Sequence, residues 1–455
     1  MRRGLGLVAI VVGGAVVAGG IAAGTLGPAQ PGTASGSARS GVWMCPHGGG
    51  EGWSGFLSLA NPGAAPVEAR ITALEGKAPG EAQSVSVPAK GEIVVEVPTP
   101  DPSASTYVEY FGGWIAAGWV VRAGDPNVGL GTEPCLASSA ATWYTTESST
   151  QRGTRAWVVV MNPHAADAVF NVALYTPTSA PFRPQDLTDV VLKGRRSVAF
   201  KLGAQVKGED VIGTLIDVKV GRVAVATLSV SLEGGVRSTV GATGPATTWE
   251  LPTAAGAGQT TLLTFDPNDD GLTLATAVRT EGQPEGAVSS ALEQLGRSTL
   301  ASPVTTNGPS SIEVAGPAGP PFLAALRSVG RTDDHASTAG ASAAATGWVV
   351  PPTLASQPAT TVLVVANPGA TEATVTLTLL PIDETDAATI TITVPAGSVV
   401  PAPAEFMAEA PRSAVAVTSS VPVVPLGAST SGGKDGLLFY GLAMGVPVPV
   451  WASAG

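Results

Sequence analysis

The sequence predicts an all-β protein: four tandem antiparallel β-sandwich (immunoglobulin-like) repeats of about 100 residues, following an N-terminal transmembrane helix. Three observations carry the prediction. The composition is poor in charge and rich in turn formers, with 13% Asp, Glu, Lys and Arg beside 57 Gly and 38 Pro. Tryptophans return at Trp43, Trp143, Trp249, Trp348 and Trp451, spaced 100, 106, 99 and 103 residues apart. In phase with them run Asn61-Pro62-Gly63, Asn162-Pro163-His164, Asp266-Pro267-Asn268 and Asn367-Pro368-Gly369. Short strands joined by many turns need such a composition, whereas surface helices need more Lys, Arg and Glu.

The chain begins with Met1-Arg2-Arg3 and an uncharged stretch over residues 4–27. That stretch is long enough to span a bilayer, and the arginines before it place the N-terminus inside. Residues 1–4 are then a cytoplasmic tip and 5–27 an anchor, or a signal sequence cleaved within 22–35. Residues 28–42, rich in Pro, Gly, Ser, Thr and Ala, read as a flexible linker. The repeats follow as 43–142, 143–248, 249–347 and 348–455. The bulk of the chain is expected outside the cytoplasm, tethered to the cell membrane or secreted after cleavage.

Within each repeat the Trp is followed by an apolar run that ends in the Asn/Asp-Pro turn, where Pro sets φ and the side chain bonds nearby backbone. An alternating strand comes next, clearest at Val375-Thr376-Leu377-Thr378-Leu379, with one face buried and the other solvated. A further strand ends in Val87-Pro88-Ala89-Lys90-Gly91 or Val394-Pro395-Ala396-Gly397, and a Val-rich segment such as 218–225 reads as a late hairpin. The third repeat is degenerate: 317–322 is Pro-rich and 288–295 fits one short helix. Trp451 opens a fifth copy that stops at once, so each Trp strand is expected to pack back on the preceding unit as a core or junction anchor.

Cys45 and Cys135 fall near the two ends of the first repeat and are the only cysteines. In an oxidising compartment they read as a disulfide, the alternative being two unrelated buried thiols. The net charge of −11 is diffuse, and no basic cluster exceeds Arg195-Arg196. Nucleic acid is excluded as a partner, because binding it needs concentrated cations against phosphate.

Motifs of chemistry are scarce. His47, His164 and His335 are the only histidines and none has a second at metal-ligand spacing. No Gly-x-Ser-x-Gly or His-Glu-x-x-His occurs. The segment 427–436 lacks the spacing and the Ser/Thr of a phosphate loop, so no nucleotide is expected. Asp266, Asn268 and Asp270 match the opening of a calcium loop, but its twelfth position is Ala277 instead of Glu, which leaves them weak ligands beside the turn reading. Trp114 and Trp119 make the best candidate for an exposed stacking surface, against the ordinary reading as core. No enzyme, cofactor or metal is expected. The partner expected is an envelope protein or a polysaccharide.

The Trp, Asn-Pro-Gly, Val-Pro-Ala-Gly and late Val-rich elements resemble a family of actinobacterial exported proteins known only as a domain of unknown function. The resemblance implies location and architecture and brings no catalytic residues.

Overall fold

The computed structural model describes residues 40–123, 129–231, 235–254, 259–268, 271–294, 299–306, 308–316, 319–329, 335–353, 359–382, 387–409, 412–432, 438–449 and 452. The expected anchor 5–27, most of the linker, Asp270 and Trp451 lie outside these residues. Among the described residues no helix is long and apolar enough to cross a membrane.

The chain folds into four units that repeat one strand sequence. The first strands are Ser40–Cys45, Thr142–Thr145, Thr248–Thr253 and Ala345–Val350. The second are Ser54–Asn61, Thr154–Asn162, Gln259–Phe265 and Ala359–Asn367. The third are Val67–Leu74, Ala168–Tyr175, Leu272–Thr280 and Ala373–Leu380, and the fourth are Gln83–Val87, Val190–Leu192, Gln283–Gln294 and Thr389–Val394. The fifth are Gly91–Val97, Arg196–Lys201, Thr299–Val304 and Ser398–Pro401. Sixth and seventh strands are Ser105–Phe111 with Ala116–Ala123, Gly213–Val220 with Ala224–Ser231, and Ser310–Ala315 with Leu323–Val329. In the last unit the two merge into the 19-residue Ala414–Gly432. The eighth are Gly129–Pro134, Gly235–Val240, His335–Ala339 and Leu438–Met444.

In each of the first three units, strands ordered 1-6-3-4 form one antiparallel sheet and 5-2-7-8 the other. The two sheets face each other across a shared core. Ala373–Leu380 illustrates the local cause: Ala373, Val375, Leu377 and Leu379 point inward, and Thr374 and its neighbours face out. Leu57 and Leu59, fully buried on a second strand, each contribute about 2 kcal/mol by leaving water.

The sandwich is as expected, but its strand order is not that of an immunoglobulin domain, where the first two strands share a sheet. Here strands 1 and 2 lie in opposite sheets. The late segment 218–225 is likewise no hairpin, since strands 6 and 7 also lie in opposite sheets; in the last unit a single strand bends across, pairing first with Ala373–Leu380 and then with Ala359–Asn367. In the third unit the expected helix is replaced by Gln283–Gln294, which pairs with Leu272–Thr280 through a two-residue turn at Glu281 and Gly282. Gly282 takes φ +71° there, a conformation that only Gly adopts without strain.

The repeated marks have structural explanations. Trp43, Trp143, Trp249 and Trp348 are buried and donate their indole N–H to the carbonyls of Ile115, Val223, Phe322 and Val423, at 2.7–2.9 Å. Each acceptor lies at the passage from strand 6 to strand 7 of the same unit, so the Trp ties the two sheets of its own unit and is not a junction anchor. Val446–Pro447 pairs with Trp348 and Val349 of the unit it follows. Leu136, Ala242 and Ala341 make the equivalent bridges to Met44, Tyr144 and Glu250.

The fully buried Asn61, Asn162 and Asn367 repeat one network. Asn367 Oδ1 accepts from Gly369 N at 3.0 Å, and its Nδ2 donates to the carbonyls of Thr371, Val394 and Pro395 at 2.8, 3.1 and 3.2 Å. One amide thereby clamps two separate sheet crossings, strand 2 to 3 and strand 4 to 5. In the third unit Asp266 has no N–H to donate, and it accepts from Asn268 N and Gly271 N instead.

The four units close into a ring. Ser197 N, on the fifth strand of unit two, donates to Glu75 O just past the third strand of unit one, at 3.0 Å. Glu92 N of unit one donates in the same way to Pro381 O of unit four, at 3.0 Å. Ala173 and Tyr175 join the core of unit three, and Ala254 and Ala336 pack with Val364, Ala366 and Val424 of unit four in a cluster separate from that unit's own core. The eighth strands of all four units meet at the axis, where Thr132 Oγ1 bonds Leu442 O and Thr239 Oγ1 bonds Ser337 Oγ. At Gly129 an added Cβ would stand 2.4 Å from Val236 N.

Replacing Asn367 by Ala strands the buried Val394 carbonyl and removes the partner of the part-buried Thr371 O, Pro395 O and Gly369 N, at a cost of about 2–4 kcal/mol. A urea titration of the full chain should show a lowered midpoint for Asn367→Ala. Reducing the Cys45–Cys135 bridge should lower it as well, with stability falling by about 4 kcal/mol in the chain-entropy account.

Candidate functional site: the clefts and seams between units

Several of the chain's buried charged residues lie at the seams. At the seam of units four and one, Glu92 is fully buried. Its Oε1 accepts from Ser58 Oγ at 2.5 Å and its Oε2 from Ala414 N at 2.6 Å. Burial outweighs these two bonds and pushes the carboxyl up to about 8.

At the seam of units two and three, Glu147 Oε1 lies 3.0 Å from both Arg237 Nε and Arg327 Nη2. Arg327 also reaches Asp210 Oδ1 at 2.9 Å, and Arg237 Nη1 is 2.7 Å from His335 Nδ1. Burial would raise the Glu147 carboxyl, but the charges of Arg237 and Arg327 outweigh it and hold Glu147 below its ordinary range. On the axis, burial pushes Glu133 well above the usual carboxylate range. The N–H groups of Ala339 and Val240 and the Thr338 hydroxyl face it without reaching hydrogen-bonding geometry.

Two open clefts lie beneath the linkers that join successive units, in equivalent places. The cleft between units one and two, about 320 Å³, is lined by Val42, Met44, Tyr107, the linker Ser138 and Ser139, Pro163, His164 and Arg222. The one between units three and four, about 100 Å³, is lined by Thr248, Glu250, Glu313, the linker residues 341–344, Pro368 and Val424. Strand register makes Val42, Met44 and Tyr107 the counterparts of Thr248, Glu250 and Glu313. In the second cleft Arg279 pairs with both carboxylates, reaching Glu250 Oε1 at 3.0 Å and Glu313 Oε2 at shorter range. In the first, Ser139 Oγ and His164 Nε2 are 2.8 Å apart. Arg195 lies 6.0 Å from the Tyr107 ring centroid.

The residues singled out in the sequence fare unequally. Cys45 and Cys135 form a disulfide with Cα atoms 4.6 Å apart, joining the first strand of unit one to the end of its eighth. Trp114 and Trp119 are 6% and 1% exposed, so the expectation of a stacking surface is corrected: Trp114 packs edge-on against Trp43 and neither ring face is open to a sugar. A large ring on an inward-facing position of a two-sheet core is enclosed by the opposite sheet. Asp266 uses both carboxylate oxygens on backbone N–H groups of its turn, Asn268 follows in that turn, and Asp270 lies outside the described residues. Among the described residues no cluster of three or more His, Cys, Asp or Glu could hold a metal.

Of the histidines, His47 is buried between Gly48 O and Thr106 Oγ1, and burial lowers it to about 4. His335 opens an eighth strand and meets Arg237. Glu92, Glu133, Glu147 and Arg237 carry no local pattern that marks them. Only Glu133 and Arg237, the single charges of strands that are otherwise uncharged, carry a hint of burial; Glu92 shares its strand with Glu96, and Glu147 lies just past the first strand of unit two.

The sequence model of a family of unknown function (DUF5719) matches residues 109–405. No curated protein matches the chain. Among solved structures it is similar to the tetra-tandem repeat in the extending region of a large adhesion protein, at 13% identity, covering 86% of this chain and 94% of that one with a TM-score of 0.10. It is also similar to trypsin-activated alpha-2-macroglobulin from Escherichia coli, at 8% identity over 89% of this chain and 42% of that one, with a TM-score of 0.12. At these TM-scores neither carries an argument.

For Glu92 the direction of the pH effect follows from linkage. Its folded pKa lies above that of an unfolded carboxyl, so its contribution to stability is largest while it is protonated and declines as pH rises to about 8. The unfolding midpoint of the wild-type chain should therefore fall more steeply than that of Glu92→Gln between about pH 5 and about pH 9. Parallel curves for the two proteins would place the proton elsewhere.

Proposed function

This chain belongs to a family of unknown function (DUF5719), and from that premise we propose that it is a non-catalytic, extracytoplasmic scaffold or protein-binding protein of the cell envelope. The closed ring is the observation that carries the reading. Units four and one meet through the same strand-5 to strand-3 contact as units one and two. Four sandwiches held this way present a surface of fixed geometry, which suits holding or spacing a partner.

The buried polar side chains serve the seams and the turns within each unit. Glu147, Arg237, Arg327 and Asp210 neutralise one another, and the Asn amides are saturated by backbone. Residues 5–27 tether the chain to the membrane with the N-terminus inside, or direct its secretion after cleavage, and the actinobacterial origin read from the composition belongs to the same proposal. The buried disulfide supports an oxidising compartment. A carbohydrate-binding role in envelope glycan assembly lacks the exposed aromatic pair on which it rested.

The compartment is tested by trapping thiols in intact cells and then unfolding the protein without reductant. No alkylated cysteine is expected; two alkylated cysteines would place the chain in a reducing compartment. For the function, the full chain is incubated with an envelope fraction and with a glycan array. Saturable capture of one envelope protein is the expected result. Turnover of an envelope substrate by the purified chain would overturn the non-catalytic reading.

A further inference from the structure

We propose that the cleft between units one and two is a binding site for a small oxyanion group, a carboxylate or a sulfate-like group. The repeat itself builds the cleft, because the same hollow recurs between units three and four at register-equivalent residues. What differs is the chemistry of the wall. The second cleft carries Glu250 and Glu313, which Arg279 already neutralises. At their positions the first carries Met44 and Tyr107, so no carboxylate lines it.

Donors take the remaining places. Ser138 and Ser139 come from the linker, and His164 stands where two sister turns have Gly63 and Gly369. That substitution is not required by the turn, whose backbone network is the same with Gly. His164 instead turns its Nε2 to Ser139. Arg222 is exposed and has no ion pair among the described residues. Arg195, over the Tyr107 ring, adds a second cation beside the wall. Glu109 is the opposing acid: it follows Tyr107 by two positions on the same strand face and acts on its hydroxyl, as Arg195 does in the opposite sense.

Two guanidinium groups, an imidazole and two hydroxyls with no lining carboxylate form a set that recognises oxyanions, with Arg supplying paired N–H donors. No carboxylate holds His164 Nδ1 among the described residues, so the Ser139–His164 pair lacks the orienting acid of a nucleophilic triad and is read as binding. The proposal stands apart from the scaffold reading, since the ring closes whether or not the cleft is filled.

The test is a calorimetric titration of the full chain with sodium sulfate and with sodium acetate, against sodium chloride at matched ionic strength. The ring resonances of His164 are followed in parallel. Saturable binding of either anion with a shift at His164 is expected, and the anion that binds identifies the class of group. His164→Gly, which places the sister residue in the turn, and Arg222→Ala should each weaken binding by about tenfold or more. Chloride-level responses to both anions, an unmoved His164 ring, or undiminished affinity in both variants would overturn the assignment.

Discussion

Four strand edges converge on one axis, and backbone approaches backbone there only where side chains are small or absent. Gly129 lies against Val236 N, Gly131 against Ser238, and Gly441 beside Thr132 and Thr353. Any side chain at Gly129 would push against main chain, which cannot yield as a flexible side chain does. From this approach follows the burial of each eighth strand, the edge that a sandwich would otherwise expose for pairing with other chains. The fifth strand, the other edge of the same sheet, docks on the neighbouring unit at the two seams where Glu92 and Ser197 bond.

Closeness at the axis removes water from polar groups that the units bring with them. The solutions differ from seam to seam. Between units two and three, two guanidinium groups and two carboxylates compensate one another, so Glu147 remains ionised at full burial. Between units four and one a single carboxyl has only two neutral donors, and it gains a proton instead. A buried charge with cations on two sides and a buried acid without any represent the two responses open to an ionisable group in low dielectric. The four-fold repeat is therefore regular in backbone and irregular in charge, which distinguishes one seam chemically from another.

Repetition also explains which side chains are free to vary. The Asn amide and the Trp indole are each committed to backbone, in register with the sheet crossings, and both recur almost unchanged. Positions that face a cleft carry no such commitment. The same register place holds Met44 in one copy and Glu250 in another, and the third turn residue is Gly, His or Asn. Chemical individuality in this ring resides in the cleft walls.

By itself the sequence determined the class of fold and the period and pointed to the Cys45–Cys135 bridge and the Trp and Asn-Pro marks, because alternation, turn chemistry and spacing are local or repeated signals. Tertiary structure alone decided the rest. That strands 6 and 7 part into opposite sheets is invisible in residues 218–225, since a crossing and a hairpin turn call for the same small residues. The burial of Trp114 and Trp119 and the shift of Glu92 depend on what the opposite sheet or the neighbouring unit places over them. Ring closure was illegible for the same reason: Glu92 and Pro381 are far apart in the chain, and their contact exists only because the packing of the intervening units brings unit four back against unit one.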